Sequence, residues 1–277
     1  MERIYQETCR RSGAADAGYV SRDYFLSHMT PDKSRQAEEL LPGYQGLICT
    51  VFPYFAGFVE GNLSLYARGQ DYHAVVKGRL EQAAEWLRQE YGFQFIPMAD
   101  VSPFPEVWAA ACAGLGKLGQ NGLLLTEEYG SFVFVGLLLT DLPLPAGSQP
   151  VPCRGCGACL RACPGAALGQ NGRVEESRCL SALTQQRGAL TEEQAAAVEK
   201  HPLIWGCDTC QLACPENLQV LQTALPEFRE DLLCSLEEAD VAMGDRAFRR
   251  QYAGRAFTWR GVQPLRRNLE LKKEKSK

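Results

Sequence analysis

Eight cysteines between positions 153 and 214 have the type and spacing for electron chemistry. Cys153, Cys156, Cys159 and Cys163 form C-x2-C-x2-C-x3-C followed by Pro164, the spacing in which three thiolates hold one 4Fe-4S cubane and the fourth reaches a second. Cys207, Cys210 and Cys214, followed by Pro215, repeat the run one ligand short, and the isolated Cys179 is the thiol available to complete it. The spacing thus assigns Cys153, Cys156, Cys159 and Cys214 to one cluster and Cys163, Cys179, Cys207 and Cys210 to the other. A proline after each crossing cysteine turns the chain away from a helix. Zinc and disulfides are the competing uses. A structural zinc site takes its four ligands as two pairs, whereas this motif packs three into one loop. Disulfides need an oxidising compartment, and nothing at the N-terminus resembles a signal peptide.

Such a module must be served by elements that present a substrate to it. Residues 1–45 read as a helix, a turn and a polar loop, broken at Pro31 and Pro42. Leu47 to Phe52 is an apolar run bounded by Gly46 and Pro53, hence a buried strand. Asp71 reads as the N-cap of a helix whose apolar face is Val76, Leu80, Ala83, Ala84, Leu87 and Tyr91, which places Tyr72 and His73 in its first turn. A histidine there is structural, solvated or functional. Phe93 to Ile96 alternates toward a strand ending near Asp100, and an acid at a strand end serves either chemistry or a helix cap. Pro103 to Ala113, with Glu106 and Trp108, reads as a helix.

Gly114, Gly116 and Gly119 then match G-x-G-x-x-G, with Asp141 where a dinucleotide fold would hold its ribose. The context is wrong, because the match follows a helix and precedes the strands Leu123 to Leu125 and Phe132 to Leu139. The glycines read instead as tight turns, or as backbone that approaches a large planar or phosphorylated cofactor. Cys9, Cys49, Cys112 and Cys234 fit no ligand spacing and read as small core residues. Thr191 to Lys200 reads as a helix capped in Thr-x-x-Gln order.

At 277 residues and 45% apolar, the chain supports one sizeable core plus a small module held by metal. The expected fold is α/β or α+β: a large domain over 1–147, a ferredoxin-like module over 148–222 and a cap over 223–277. The run Phe132 to Leu139 is far short of the roughly 20 residues of a membrane helix, so no membrane, a cytoplasmic location and a monomer are expected. Net charge is −4, yet Arg246 to Lys277 holds eleven Lys or Arg against two acids. That block suits either a phosphate backbone or a solvated terminal helix.

The chain resembles the epoxyqueuosine reductase family over nearly its whole length. The resemblance is carried by Tyr66-Ala67-x-Gly69-x-Asp71-Tyr72-His73, the Gly114 to Leu125 loop, Gly130-Ser131, Cys179-Leu180-Ser181, Trp205-Gly206-Cys207-Asp208-x-Cys210-Gln211-x-x-Cys214-Pro215 and Arg266-Arg267-Asn268. It implies a cobalamin-dependent reductase with two 4Fe-4S clusters, acting on epoxyqueuosine in a tRNA anticodon stem-loop. An external low-potential donor feeds the clusters, which reduce the corrinoid, and an acid protonates the departing epoxide oxygen. By motif position Asp100 is that acid and Glu106 its alternate, while Tyr72, His73, Gly114, Gly116, Gly119 and Asn121 face the cofactor. The chain departs from the family pattern at Lys117, Gln120, Val107 and Trp259-Arg260-Gly261, and it stops before the helical-repeat domain of longer members. The other readings are a corrinoid and iron-sulfur reductase of a small molecule, and an electron-transfer protein without a substrate of its own.

Overall fold

The computed structural model describes residues 1–169 and 172–273. They fall into two compact units, residues 1–53 with 72–155 and residues 54–71 with 156 onward.

The first unit is built on a four-stranded sheet. Its strands are β1 (Asp16–Ser21), β2 (Gly46–Pro53), β3 (Phe95–Met98) and, after a two-stranded hairpin of β4 (Lys117–Leu118) and β5 (Leu124–Leu125), β6 (Val133–Thr140). Spatial order is β1-β2-β6-β3, and every pair is antiparallel. The fold is therefore α+β. Helices α1 (Glu2–Ser12), α2 (Pro31–Leu40), α3 (Tyr72–Tyr91) and α4 (Glu106–Cys112) complete the unit. Every residue of β2 is buried, as a continuous apolar run requires when both faces of a strand are covered. Leu47, Cys49 and Val51 point into a core shared with Ala109 to Cys112 of α4. The buried face of α3, Val76, Leu80, Ala83, Ala84 and Leu87, is the one its periodicity predicts.

The first 45 residues differ from the sequence reading. They contain strand β1, hidden in the sequence because Ala17 and Gly18 carry no strand signal. Pro31 does not break structure but opens α2, at the position where its missing N–H costs nothing, with Thr30 Oγ1 accepting from the Lys33 N–H.

The second unit is mostly short helices: α5 (Ala158–Ala162), α6 (Leu180–Gln185), α7 (Glu192–Lys200), α8 (Thr209–Leu212), α9 (Pro226–Arg229), α10 (Glu238–Ala242), α11 (Asp245–Gln251) and α12 (Gln263–Lys273). Thr191 and Gln194 close the expected capping box on α7. The core gathers Leu63, Trp205, Leu236, Phe248, Phe257 and Leu265 from distant parts of the sequence. The units cut across the sequence boundaries for physical reasons. Residues 54–71 join the second unit because Ser64 N–H donates to Trp205 O and Ile204 N–H to Asn62 O. Residues 148–155 stay with the first, where Ser148 N–H donates to Cys112 O and Cys153 N–H to Leu118 O. No described helix is long and apolar enough to cross a membrane.

Candidate active site and cluster ligands

Four residues picked from the sequence meet where β3 ends and where α3 and α4 begin. Tyr72 lies flat on Phe134 of β6, with centroids 4.3 Å apart and planes 5° from parallel. It also stacks with His73 at 4.0 Å. His73 Nε2 and Asp100 Oδ2 are 2.9 Å apart, so the start of α3 is tied to the loop after β3. Asp100 stands at φ 61°, a left-handed conformation that few side chains tolerate and Asp tolerates better than most.

Glu106 explains how that conformation is held. Its Oε2 accepts the Asp100 N–H at 3.2 Å, and its Oε1 accepts the Ser102 hydroxyl at 2.6 Å. Burial raises its pKa to about 7; the Ser102 hydroxyl opposes the rise and the Asp100 carboxylate adds to it. The Asp100 side chain is 56% exposed. Of the two acids, Asp100 is open to solvent, and Glu106 holds the loop through the Asp100 main chain.

The glycine segment forms the β4–β5 hairpin next to α4. Gly114 turns the chain off the helix at φ 83°, and Gly116 runs beside Leu125. A Cβ at Gly119 would lie 2.3 Å from Asn121 Oδ1 and 3.0 Å from Leu123 O, so a larger residue there would displace the Asn121 side chain. Asn121 is 5% exposed; its Oδ1 accepts from the Leu123 N–H, while its Nδ2 is buried with no partner among the described residues. Asp141 Oδ1 accepts the Gln94 N–H, which accounts for that acid without a ribose.

Cys153 belongs to the first unit and the other seven candidate ligands to the second. Cys159 lies in α5 and Cys163 at its C-cap; Cys179 caps α6, Cys210 lies in α8, and Cys214 precedes Pro215. Helices α5 and α8 pack together. Cys163 Sγ accepts the Ala167 N–H at 3.3 Å. Burial pushes the Cys210 thiol up to about 12, and the thiols that add to this are Cys207, Cys179, Cys163 and then Cys159. Among the described residues, no three His, Cys, Asp or Glu side chains converge closely enough to hold a single ion.

The string around Cys207 has a structural reason that spacing alone does not reveal. Trp205 is wholly buried. Gly206 takes φ 75°, where a Cβ would sit 2.4 Å from that of Ser64. Asp208, 4% exposed, accepts the Ser64 hydroxyl on Oδ1 and the Leu65 N–H on Oδ2 at 2.9 Å. Ser64 is a partner that no sequence signal identified. The basic tail is also mostly engaged. Arg266 donates to Val241 O and Met243 O, Arg267 to Leu183 O, Gln186 O and Gly188 O, and Lys272 to Val198 O.

Sequence comparison places these features among known proteins. The model of a family described as "Epoxyqueuosine reductase QueG, DUF1730" matches residues 35–101, and that of a "4Fe-4S double cluster binding domain" matches residues 152–217. The epoxyqueuosine reductase of Lactococcus garvieae is 37% identical over 216 residues, covering 76% of this chain and 60% of its own length. That of Vibrio cholerae is 34% identical over 271 residues, covering 92% and 72%. The chain thus spans under two thirds of some of these relatives. Two solved structures superpose with a TM-score of 0.84 at 25% identity, each over 98% of this chain and 80% of its own. One is an epoxyqueuosine reductase with an epoxyqueuosine-modified tRNA-Tyr stem loop. The other is the Bacillus subtilis enzyme with a catalytic aspartate loop swung out of the active site. Sharing a third of its residues with the Vibrio cholerae enzyme across nearly its whole length, the chain belongs to the epoxyqueuosine reductase family.

Proposed function

We propose that this chain reduces epoxyqueuosine to queuosine in the anticodon stem-loop of tRNA, using two 4Fe-4S clusters and cobalamin. The observation that carries the reading is the exposed Asp100 carboxylate, held beside His73 by a strained loop in a chain that also carries the cluster cysteines. Cys153, Cys156, Cys159 and Cys214 would hold one cluster, and Cys163, Cys179, Cys207 and Cys210 the other. An external low-potential donor would supply the electrons.

Removing an epoxide oxygen requires electrons at carbon and a proton on the departing oxygen. Cobalamin, when bound, supplies a strongly reducing metal centre for the first requirement. Its fit here rests on the Nδ2 of Asn121, buried and without a partner among the described residues; Gly114, Gly116, Gly119, Tyr72 and His73 complete the proposed contacts. Asp100 meets the second requirement. A general acid must stand within hydrogen-bond reach of the oxygen it protonates, and the exposed Asp100 carboxyl is the acid placed to do so. His73 holds the Asp100 carboxylate from one side, and Glu106 holds its backbone from the other. The aspartate-bearing catalytic loop of the Bacillus subtilis enzyme, swung out of its active site, supports reading 99–105 as the segment that presents the acid.

The test is anaerobic reconstitution with iron, sulfide and hydroxocobalamin, then reduction of an epoxyqueuosine-bearing stem-loop. About eight iron per chain, on the four-thiolate ligand count, with one cobalt and conversion of the RNA, is expected. Full cluster content without conversion under any reductant would sink the proposal.

A further inference from the structure

We propose that Trp259 and Arg260 form a stacking platform for an unpaired base of the RNA substrate, an inference that rests on the tRNA reading above. Trp259 is 47% exposed. One open tryptophan is ordinary in itself; this one is distinguished by its setting. Its Nε1 donates to Gln185 Oε1 at 3.3 Å, and its carbonyl accepts from Arg249 Nη2 at 3.3 Å. The next carbonyl, of Arg260, accepts from Arg187 Nε at 3.0 Å, and Val262 N–H donates to Asp245 Oδ1 at 2.8 Å. The indole is therefore held before anything binds, which removes much of the ordering cost that a mobile side chain would face.

The charge around it selects the occupant. Arg260 Cζ lies 3.6 Å from the indole centroid, and Arg187 and Arg249 both act on the single carboxylate of Asp245. One guanidinium thus lies on the ring and two more donate to the adjoining main-chain carbonyls, against one acid. A protein surface that covers an exposed indole is served by apolar neighbours, whereas these neighbours are cationic. A π-face paired with arginine suits single-stranded nucleic acid, in which a base stacks and its phosphate meets the guanidinium. Arg255, Arg266 and Arg267 of the basic tail are engaged with backbone carbonyls, whereas Arg246 and Arg250 of the same tail are exposed.

The experiment measures binding of an unmodified anticodon stem-loop RNA, and of a fully paired duplex, across a salt series. The proteins are the reconstituted enzyme and its Trp259→Ala, Trp259→Phe and Arg260→Gln variants, with turnover of epoxyqueuosine RNA followed on the same samples. Loss of one stacked base predicts loop-RNA binding weaker by roughly 5- to 150-fold in Trp259→Ala, with the salt slope kept and duplex binding unchanged. Trp259→Phe should recover most of the affinity, and Arg260→Gln should lower the salt slope by about one phosphate contact. Wild-type affinity in Trp259→Ala, with turnover intact, overturns the platform and leaves the proposed function standing. A loop-specific loss without any turnover in the wild type keeps the platform and overturns the function. No RNA binding by any form overturns both, and a change in sedimentation of Trp259→Ala without RNA assigns the face to self-association and overturns the platform.

Discussion

Glu106 Oε2 accepts the backbone N–H of Asp100 at 3.2 Å, so a buried acid fixes an exposed one through its main chain. The same carboxylate takes the Ser102 hydroxyl, and both contacts require it to accept. The loop between β3 and α4 is thereby organised from below by one side chain.

A stability consequence follows from the Glu106 pKa. Burial raises it from 4.5 to about 7, so the folded state binds this proton more tightly than the unfolded chain does. The resulting stabilisation is full below about 4.5 and is lost as pH rises through about 7. At 1.36 kcal/mol per unit the ceiling is roughly 3 kcal/mol. Glu106→Gln should flatten the stability profile between these pH values by an amount up to that ceiling, read from urea unfolding at several pH values. An unchanged slope would mean that Glu106 ionises freely in the fold.

Asp100→Asn tests the exposed acid. The amide keeps the size and the hydrogen-bonding oxygen beside His73, and removes only proton delivery. Loss of a general acid costs about 10²- to 10⁴-fold in rate. The variant should retain iron and cobalt at wild-type levels and lose turnover by that factor. Normal turnover would transfer the role to Glu106 or to water.

Much of this site was legible because its residues sit at element ends that leave sequence marks. Tyr72 and His73 follow an Asp at a helix start, and Asp100 follows a short alternating run. The cysteines announce themselves by spacing. What the sequence hid was long-range and polar. Ser64 lies 144 positions before Asp208, and no periodicity links a serine to a carboxylate at that separation. Strand β1 was lost because Ala17 and Gly18 have little strand preference and are placed by pairing with β2. The basic tail was ambiguous for the opposite reason. Charge counts are plain in a sequence, but whether a guanidinium meets solvent or a helix-end carbonyl depends on packing.

Arg267 shows which of those uses prevails. Its guanidinium donates to Leu183 O, Gln186 O and Gly188 O within 2.9 Å, and Nε donates to Asn268 Oδ1. Arg267→Ala strips several buried or half-buried acceptors of their donor, a cost of about 3 kcal/mol when charged hydrogen bonds of this kind are lost. Arg267→Lys should recover only part of it, because an ammonium cannot fork across three carbonyls. Thermal unfolding should show both effects, with the salt dependence of RNA binding unaltered. A variant of full stability and reduced salt slope would return Arg267 to the RNA surface.

Cys179 offers the sharpest test of the ligand assignment, since it stands outside both cysteine runs. Its place at the N-cap of α6 is structural as well, but a cap that makes no side-chain hydrogen bond contributes little, so Cys179→Ala should fold. The spacing assigns Cys179 to the second set, with Cys163, Cys207 and Cys210. Its loss should remove one cluster and leave the other, taking iron from about eight to about four per chain on the four-thiolate count. Cys156→Ala should remove the other cluster and give the same iron content with a different electron paramagnetic resonance spectrum after reduction. If Cys179→Ala retains all its iron, the fourth ligand is not Cys179 and the assignment falls. If it loses everything, the two clusters assemble as one unit, and the independence assumed by the spacing argument is wrong.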